Sequence, residues 1–122
     1  MQMNESMENY LETILILSHK LPVVRSVDIA NELNFKKPSI SIAMKKLREA
    51  GFITVTDAGF IYLTDSGRET AENMYDRHKV LSTLLMNLGV SEANAARDAC
   101  RIEHVISQES FDSIKQHNLN KR

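Results

Sequence analysis

The sequence predicts a mainly α-helical protein. We expect an N-terminal winged helix-turn-helix, made of three helices plus a β-hairpin, followed by a helical dimerisation domain. Apolar residues recur at helical spacing in the first 20 residues and again after residue 64. Between them, two short helical segments joined by a tight turn lead directly into alternating β-type residues. We place the domain boundary after residue 72, which gives domains at 1–72 and 73–122.

Length and composition are those of an ordinary globular chain. The 122 residues are 43% hydrophobic and 25% charged, with a net charge of −1, so local rather than overall charge must indicate any partner. A single cysteine excludes an internal disulfide framework and fits a reducing cytoplasm. No apolar run approaches the roughly 18–20 residues of a membrane span, and we expect no membrane association.

The first predicted helix covers about residues 5–20. Its apolar residues recur at helical spacing: Met7, Tyr10, Leu11, Ile14, Leu15 and Leu17. Asn4 or Ser6 can cap its start, and Pro22 cannot continue it. From the helical pattern alone, Asn9 and Glu12 lie off the apolar stripe and are expected to be solvated.

The helix-turn-helix follows. Residues 26–33 form a short helix for which Ser26 is a suitable cap, and residues 34–37 form a turn. The second helix begins near Pro38, which favours a first helical turn, and Gly51 ends it. The segments Phe52–Thr56 and Phe60–Leu63, joined by a turn at Asp57-Ala58-Gly59, are the strands of the hairpin or wing.

A cationic stretch lies on the second helix of this motif. Five cations fall within thirteen residues with no acid between them: Lys36, Lys37, Lys45, Lys46 and Arg48. Such a face is suited to phosphates, and polar or apolar residues at the start of the helix can contact base edges and a thymine methyl. We predict DNA contacts at Lys36, Lys37, Pro38, Ser39, Ser41, Ile42, Lys45 and Lys46. The charges alone also fit a solvated lysine face.

Two further helices are predicted after the wing. The first begins at Thr64 or Asp65 and ends before Gly89, with an apolar stripe of Met74, His78, Leu81, Leu85 and Leu88. The second begins near Ser91, with an apolar row of Ala95, Ala99, Ile102 and Ile106. These helices exceed what a small DNA-binding domain needs, so we interpret them as a dimerisation surface, since dimers suit operators with two half-sites.

The segment Cys100-Arg101-Ile102-Glu103-His104 carries three candidate metal ligands. Residues at i, i+3 and i+4 share one face of a helix. A thiolate, a carboxylate and an imidazole together suit a first-row divalent transition metal. The alternative is a small core cysteine beside a solvated Glu-His pair.

These features together resemble the diphtheria toxin repressor family of metal-dependent regulators, which includes the manganese transport regulators. The matching segments are Met7–Glu12, Val27–Ala30, Lys37–Ser41, Leu63-Thr64-x-x-Gly67-Arg68, Arg77-His78 and Cys100–His104. The resemblance covers roughly residues 5–110. It implies a metal-activated transcriptional repressor that binds a palindromic double-stranded DNA operator as a homodimer and controls metal homeostasis genes.

The resemblance also implies a ligand set by position: Asn9, Glu12, His78, Cys100, Glu103 and His104. Asn9 is neutral where the manganese branch has Asp, and Cys100 matches the iron branch where the manganese branch has Glu. Both differences disfavour a two-metal manganese site. The thiolate of Cys100 favours Fe(II) over Mn(II), so we expect Fe(II), with Mn(II) second. Ser82 and Ala96 replace ligands of an ancillary site of the iron branch, and we expect that site to be weak or absent.

Three other interpretations compete. A winged-helix regulator of the same architecture could respond to an organic ligand or a protein partner instead of a metal. An enzyme using Cys100, Glu103 or His104 lacks an oxyanion hole and a second catalytic segment, so we expect no enzymatic activity. A winged helix that binds only protein would show no salt-dependent binding to duplex DNA.

Overall fold

The computed structural model of the chain describes residues 3–120. Within that range it contains helices α1 (Glu5–Ser18), α2 (Ser26–Leu33), α3 (Lys37–Glu49), α4 (Asp65–Asn87), α5 (Glu92–Val105) and α6 (Gln108–Asn120), with strands β1 (Ile53–Val55) and β2 (Ile61–Leu63). The chain divides into two compact units, of which the first ends at Glu72 and the second begins at Asn73. Among the helices of the described residues, none combines the length and apolarity needed to cross a membrane.

The first unit is a winged helix-turn-helix, as predicted. Helix α2 packs on both α1 and α3, while β2 packs on α1 and β1 on α3. The centre is aliphatic, and seven of its leucine and isoleucine side chains are at most 2% exposed: Leu11, Ile14, Leu15, Ile29, Ile40, Leu47 and Ile53. β2 adds Ile61, which is 3% exposed, so the three helices and both strands of the wing share one core.

The caps agree in part with the sequence. Asn4 caps α1, and its Oδ1 accepts a hydrogen bond of 3.0 Å from the Met7 amide. The prediction that Ser26 caps α2 is wrong, because Arg25 occupies the N-cap position and Ser26 is already helical. The Asp28 carboxylate instead accepts the Arg25 amide at 2.8 Å, so the acidic residue in the first turn satisfies the start of the helix.

The wing is a short antiparallel hairpin in which Thr54 pairs with Tyr62. Each strand has three residues, fewer than the sequence suggested. Gly67, in the first turn of α4, lies directly against the backbone of Phe52. A Cβ placed at Gly67 would be 2.0 Å from the Phe52 carbonyl oxygen. The start of α4 can therefore approach this backbone only where there is no side chain.

The second unit contains the rest of α4 together with α5 and α6. The prediction for the α4 stripe needs correction, because the buried residues are Met74, Arg77 and Leu81, whereas His78 is half-buried and Leu88 is 73% exposed. The buried row of α5 also differs from the predicted one at its C-terminal end. Ala95 and Ala99 are fully buried as predicted, but the same row continues into Glu103 rather than into an isoleucine.

Helix α6 was not predicted. It begins after Ser107, whose Oγ accepts the Ser110 amide at 3.0 Å. Phe111 is 2% exposed and is its buried anchor. Lys115 reaches Asp76 of α4 at 2.7 Å, so α6 is attached to α4 by this ion pair and by the contact of the Phe111 ring with the Arg77 guanidinium.

Candidate metal centre and nucleic-acid interface

Helix α5 brings its three candidate ligands together. The thiol sulfur of Cys100, a carboxylate oxygen of Glu103 and a ring nitrogen of His104 all lie within 4.8 Å of one another. Helical spacing places them on adjoining positions of one surface. Their surroundings differ, since Cys100 is exposed, His104 half-buried and Glu103 buried.

Glu103 is the centre of the candidate site. Its side chain is 0% exposed, and its Oε1 lies 3.0 Å from Nδ1 of His78 on α4. Its Oε2 is buried and has no hydrogen-bond partner within residues 3–120. A buried carboxylate oxygen without a partner is unfavourable unless a cation or a donor meets it. The combination of this oxygen with imidazole and thiol donors is chemically suited to a divalent transition metal.

Arg77 holds the backbone of the same residue. Its Nη1 donates to the carbonyl oxygens of Glu103 at 3.0 Å and Ile106 at 2.9 Å, and its Nη2 donates to Oε1 of Gln108 at 2.8 Å. Its guanidinium lies 5.4 Å from the centre of the Phe111 ring. Apolar patterning assigns Arg77 no role, although its spacing from Met74 and Leu81 places it on the same face of α4 as these buried residues.

The candidate ligands on α1 lie in the first unit. Glu12 is 5% exposed, so the expectation from the helical pattern that it is solvated is wrong. Asn9 is half-buried, and its carbonyl oxygen accepts the Thr13 hydroxyl at 2.8 Å. In the second unit, Ser82 and Ala96 are half-buried and offer no ionisable donor to an ancillary site.

The predicted DNA-contacting residues share the exposed side of α3 and the turn before it. All eight are exposed: Lys36, Lys37, Pro38, Ser39, Ser41, Ile42, Lys45 and Lys46. The opposite side of the helix is buried through Ile40, Met44 and Leu47. Ile42 is 59% exposed among these cations and hydroxyls. The face therefore presents exposed cations together with an exposed apolar side chain, which is the chemistry that a DNA-contacting surface needs.

Two family descriptions match consecutive parts of the chain. Residues 2–59 match the N-terminal DNA-binding domain of the iron-dependent repressors, and residues 64–120 match their metal-binding and dimerisation domain. The chain thus carries the two domains of one family in order.

Individual proteins agree. The chain is 32% identical to an uncharacterized HTH-type transcriptional regulator of Methanocaldococcus jannaschii, over 93% of this chain and 92% of that protein. It is 34% identical to the transcriptional regulator MntR of Salmonella typhimurium, over 90% of this chain and 70% of that protein. Both are named as transcriptional regulators, which confirms the expectation that the chain is not an enzyme.

A solved structure is also similar. A manganese-dependent transcriptional repressor in complex with manganese matches with a TM-score of 0.84 and 28% identity, over 91% of this chain. The chain spans about half the length of that protein, 51%. From the two family domains, the named relatives and this fold, the chain belongs to the diphtheria toxin repressor family of metal-dependent transcriptional regulators.

Proposed function

We propose that the chain is a repressor whose operator binding is activated by a divalent metal held by Asn9, Glu12, His78, Cys100, Glu103 and His104. The observation that carries the proposal is the buried Glu103, with one carboxylate oxygen 3.0 Å from His78 Nδ1 and the other without a partner among the described residues. A divalent cation would supply the positive charge that this carboxylate lacks. We include Glu12 and Asn9 in the ligand set because of their positions in the family motif and because Glu12 is buried.

We propose Fe(II) as the physiological metal, with Mn(II) second. The support is the donor set. The exposed thiol of Cys100 supplies a soft sulfur ligand, which suits Fe(II) better than Mn(II). The similar repressor solved with manganese shows that this fold also serves manganese in that protein. Replacing the thiolate by a carboxylate, as in Cys100→Glu, is expected to shift the preference toward Mn(II).

We propose that the functional DNA-bound form is a homodimer on a palindromic operator of metal homeostasis genes. The described second unit leaves three large apolar side chains strongly exposed in a single chain: Met86, Leu88 and Val105. A second copy would remove this surface from water. Two copies of the α3 face, one in each subunit, match a DNA site with two inverted halves.

The decisive experiment is a DNA-binding assay under anaerobic conditions. Duplexes are selected from a random pool on the protein with Fe(II) or Mn(II), and the selected duplex is then titrated with and without a chelator. We expect enrichment of two inverted half-sites, binding that a chelator abolishes, and half-activation at lower Fe(II) than Mn(II). Binding that is equally tight with chelator and unaffected by His104→Ala would contradict the metal-dependent function.

The two lysines at the start of α3, Lys36 at its N-cap and Lys37 in its first turn, should control the salt dependence of DNA binding. Exchanging Lys36 and Lys37 together for Gln removes two exposed cations from the proposed phosphate contacts. The slope of log affinity against log salt is negative, and each lost phosphate contact makes it shallower by about 0.9, so the double variant should have a slope shallower by about 2. Lys20→Gln, at an exposed position outside α3, is the matched control and should keep the wild-type slope. Equal slopes in all three proteins would exclude Lys36 and Lys37 from the interface.

A further inference from the structure

Two consecutive residues of α4 contact Glu103, one at its main-chain oxygen and the other at its carboxylate. His78 contacts the side-chain Oε1, and Arg77 donates to the main-chain carbonyl oxygen. Through Arg77, the position of the Glu103 backbone is tied to α4, and through His78 so is its carboxylate. The sequence neighbours Arg77 and His78 therefore act on the same residue from two directions.

The environment of Arg77 is unusual for an arginine that only stabilises the fold. It is 8% exposed, and no carboxylate pairs with it among residues 3–120. Its charge is met instead by carbonyl oxygens at the C-terminal end of α5, where the helix presents partial negative charge. Its Nε is buried without a partner in the described chain. A buried cation that lacks both an ion pair and one hydrogen bond is a costly way to stabilise two helix ends.

The cost is explained if the arginine serves the candidate metal centre. We infer that Arg77 is a positioning residue for the metal: it fixes the end of α5 so that Glu103 and His104 present their donor atoms in one arrangement. Partners that orient metal ligands without touching the ion commonly change metal affinity 10–100-fold when removed. The inference rests on the proposed metal-binding function, and it adds a residue that carries no ligand atom itself.

The test uses Co(II) alone as the probe, with the whole 122-residue chain under anaerobic conditions and no DNA. Absorption bands of Co(II), including the sulfur-to-cobalt charge-transfer band from Cys100, report both affinity and geometry. We expect Arg77→Met to bind Co(II) 10–100-fold more weakly and with altered band positions. Arg77→Lys, which keeps the charge and can reach one carbonyl, should recover part of the affinity.

Lys115→Met is the matched control. It removes the other polar attachment of α6 to α4, the 2.7 Å pair with Asp76, without touching Glu103. We expect it to lower thermal stability and leave the Co(II) spectrum and affinity as in the wild type. If Arg77→Met had the wild-type spectrum and affinity, or if Lys115→Met weakened Co(II) binding equally, Arg77 would be only a stabilising residue.

The wild-type titration separates this inference from the proposed function. A wild-type protein with no Co(II) bands would remove the metal centre itself, and Arg77 would then have nothing to position. Wild-type bands with an unaltered Arg77→Met variant would leave the metal centre intact and remove only the role of Arg77. Circular dichroism of each variant confirms that it is folded, and Arg77→Lys keeps the test valid if Arg77→Met does not fold.

Discussion

Replacing Glu103 by Gln is expected to abolish the thermal stabilisation that Fe(II) or Mn(II) gives the wild-type protein. Gln keeps the size of the side chain but removes the charge that would attract a cation. At a metal concentration one hundred times its Kd, the wild type should gain about 2.7 kcal/mol, and the variant should gain close to none. Metal-dependent binding to the selected duplex should be lost with it.

The metal-free proteins make this prediction sharper. Glu103 is fully buried and has one oxygen without a partner among the described residues, so its charge is a burden when no metal is present. We therefore expect metal-free Glu103→Gln to unfold at the same temperature as the metal-free wild type or at a higher one. Thermal unfolding with chelator, then with each metal, measures both effects.

The control for this prediction is Glu69→Gln, which removes an exposed carboxylate from the same protein. It should keep the full response to metal. A Glu103→Gln protein that is stabilised by metal as strongly as the wild type would exclude this carboxylate from the ligand set. A metal-free variant that is much less stable than the wild type would show that the carboxylate is a structural group instead.

Gly67→Ala should be the most destabilising small substitution in the first unit. The new Cβ would lie 2.0 Å from the Phe52 carbonyl oxygen and 3.0 Å from its carbonyl carbon. That oxygen already accepts the Thr64 amide at 3.1 Å, so moving it breaks a hydrogen bond at the base of the wing. We expect a loss of about 3 kcal/mol in the free energy of unfolding, measured by urea denaturation.

Gly59→Ala is the matched control because it adds the same methyl group in the turn of the hairpin. A Cβ at Gly59 meets nothing within 4 Å, but its φ of +85° strains a side chain. The cost should be about 1 kcal/mol, from backbone strain alone. If Gly67→Ala lowered the free energy of unfolding no more than Gly59→Ala does, α4 and the Phe52 backbone would have to separate easily. Their close approach would then contribute little to stability.

The sequence predicted the elements whose patterns are simple. The apolar periodicity of α1, the paired short helices, and the alternating strands around Gly59 each follow from local rules, and the structure confirms them. Helix α6 was missed because its exposed positions are mostly polar, and a single Phe111 supplies its buried anchor. One aromatic residue does not make a detectable stripe.

The candidate site was predicted less completely, for a physical reason. Hydrophobic patterning treats a carboxylate or a guanidinium as a surface group, so it places Glu12 in solvent and gives Arg77 no role. Functional sites depart from this rule, since they bury charge where a ligand or a partner compensates it. The identities of Cys100 and His104 were readable from their spacing, whereas the burial of Glu103 required the helix to be placed against its neighbours.

The packing of α6 over Arg77 also bears on how the chain tolerates shortening. Phe111 covers one side of the guanidinium, and Oε1 of Gln108 accepts a hydrogen bond from its Nη2. A chain cut before Phe111 would open this arginine to water, which competes for the same donors that hold the end of α5. Deletions that remove Phe111 should therefore weaken the response to metal, as substitutions of the proposed ligands should.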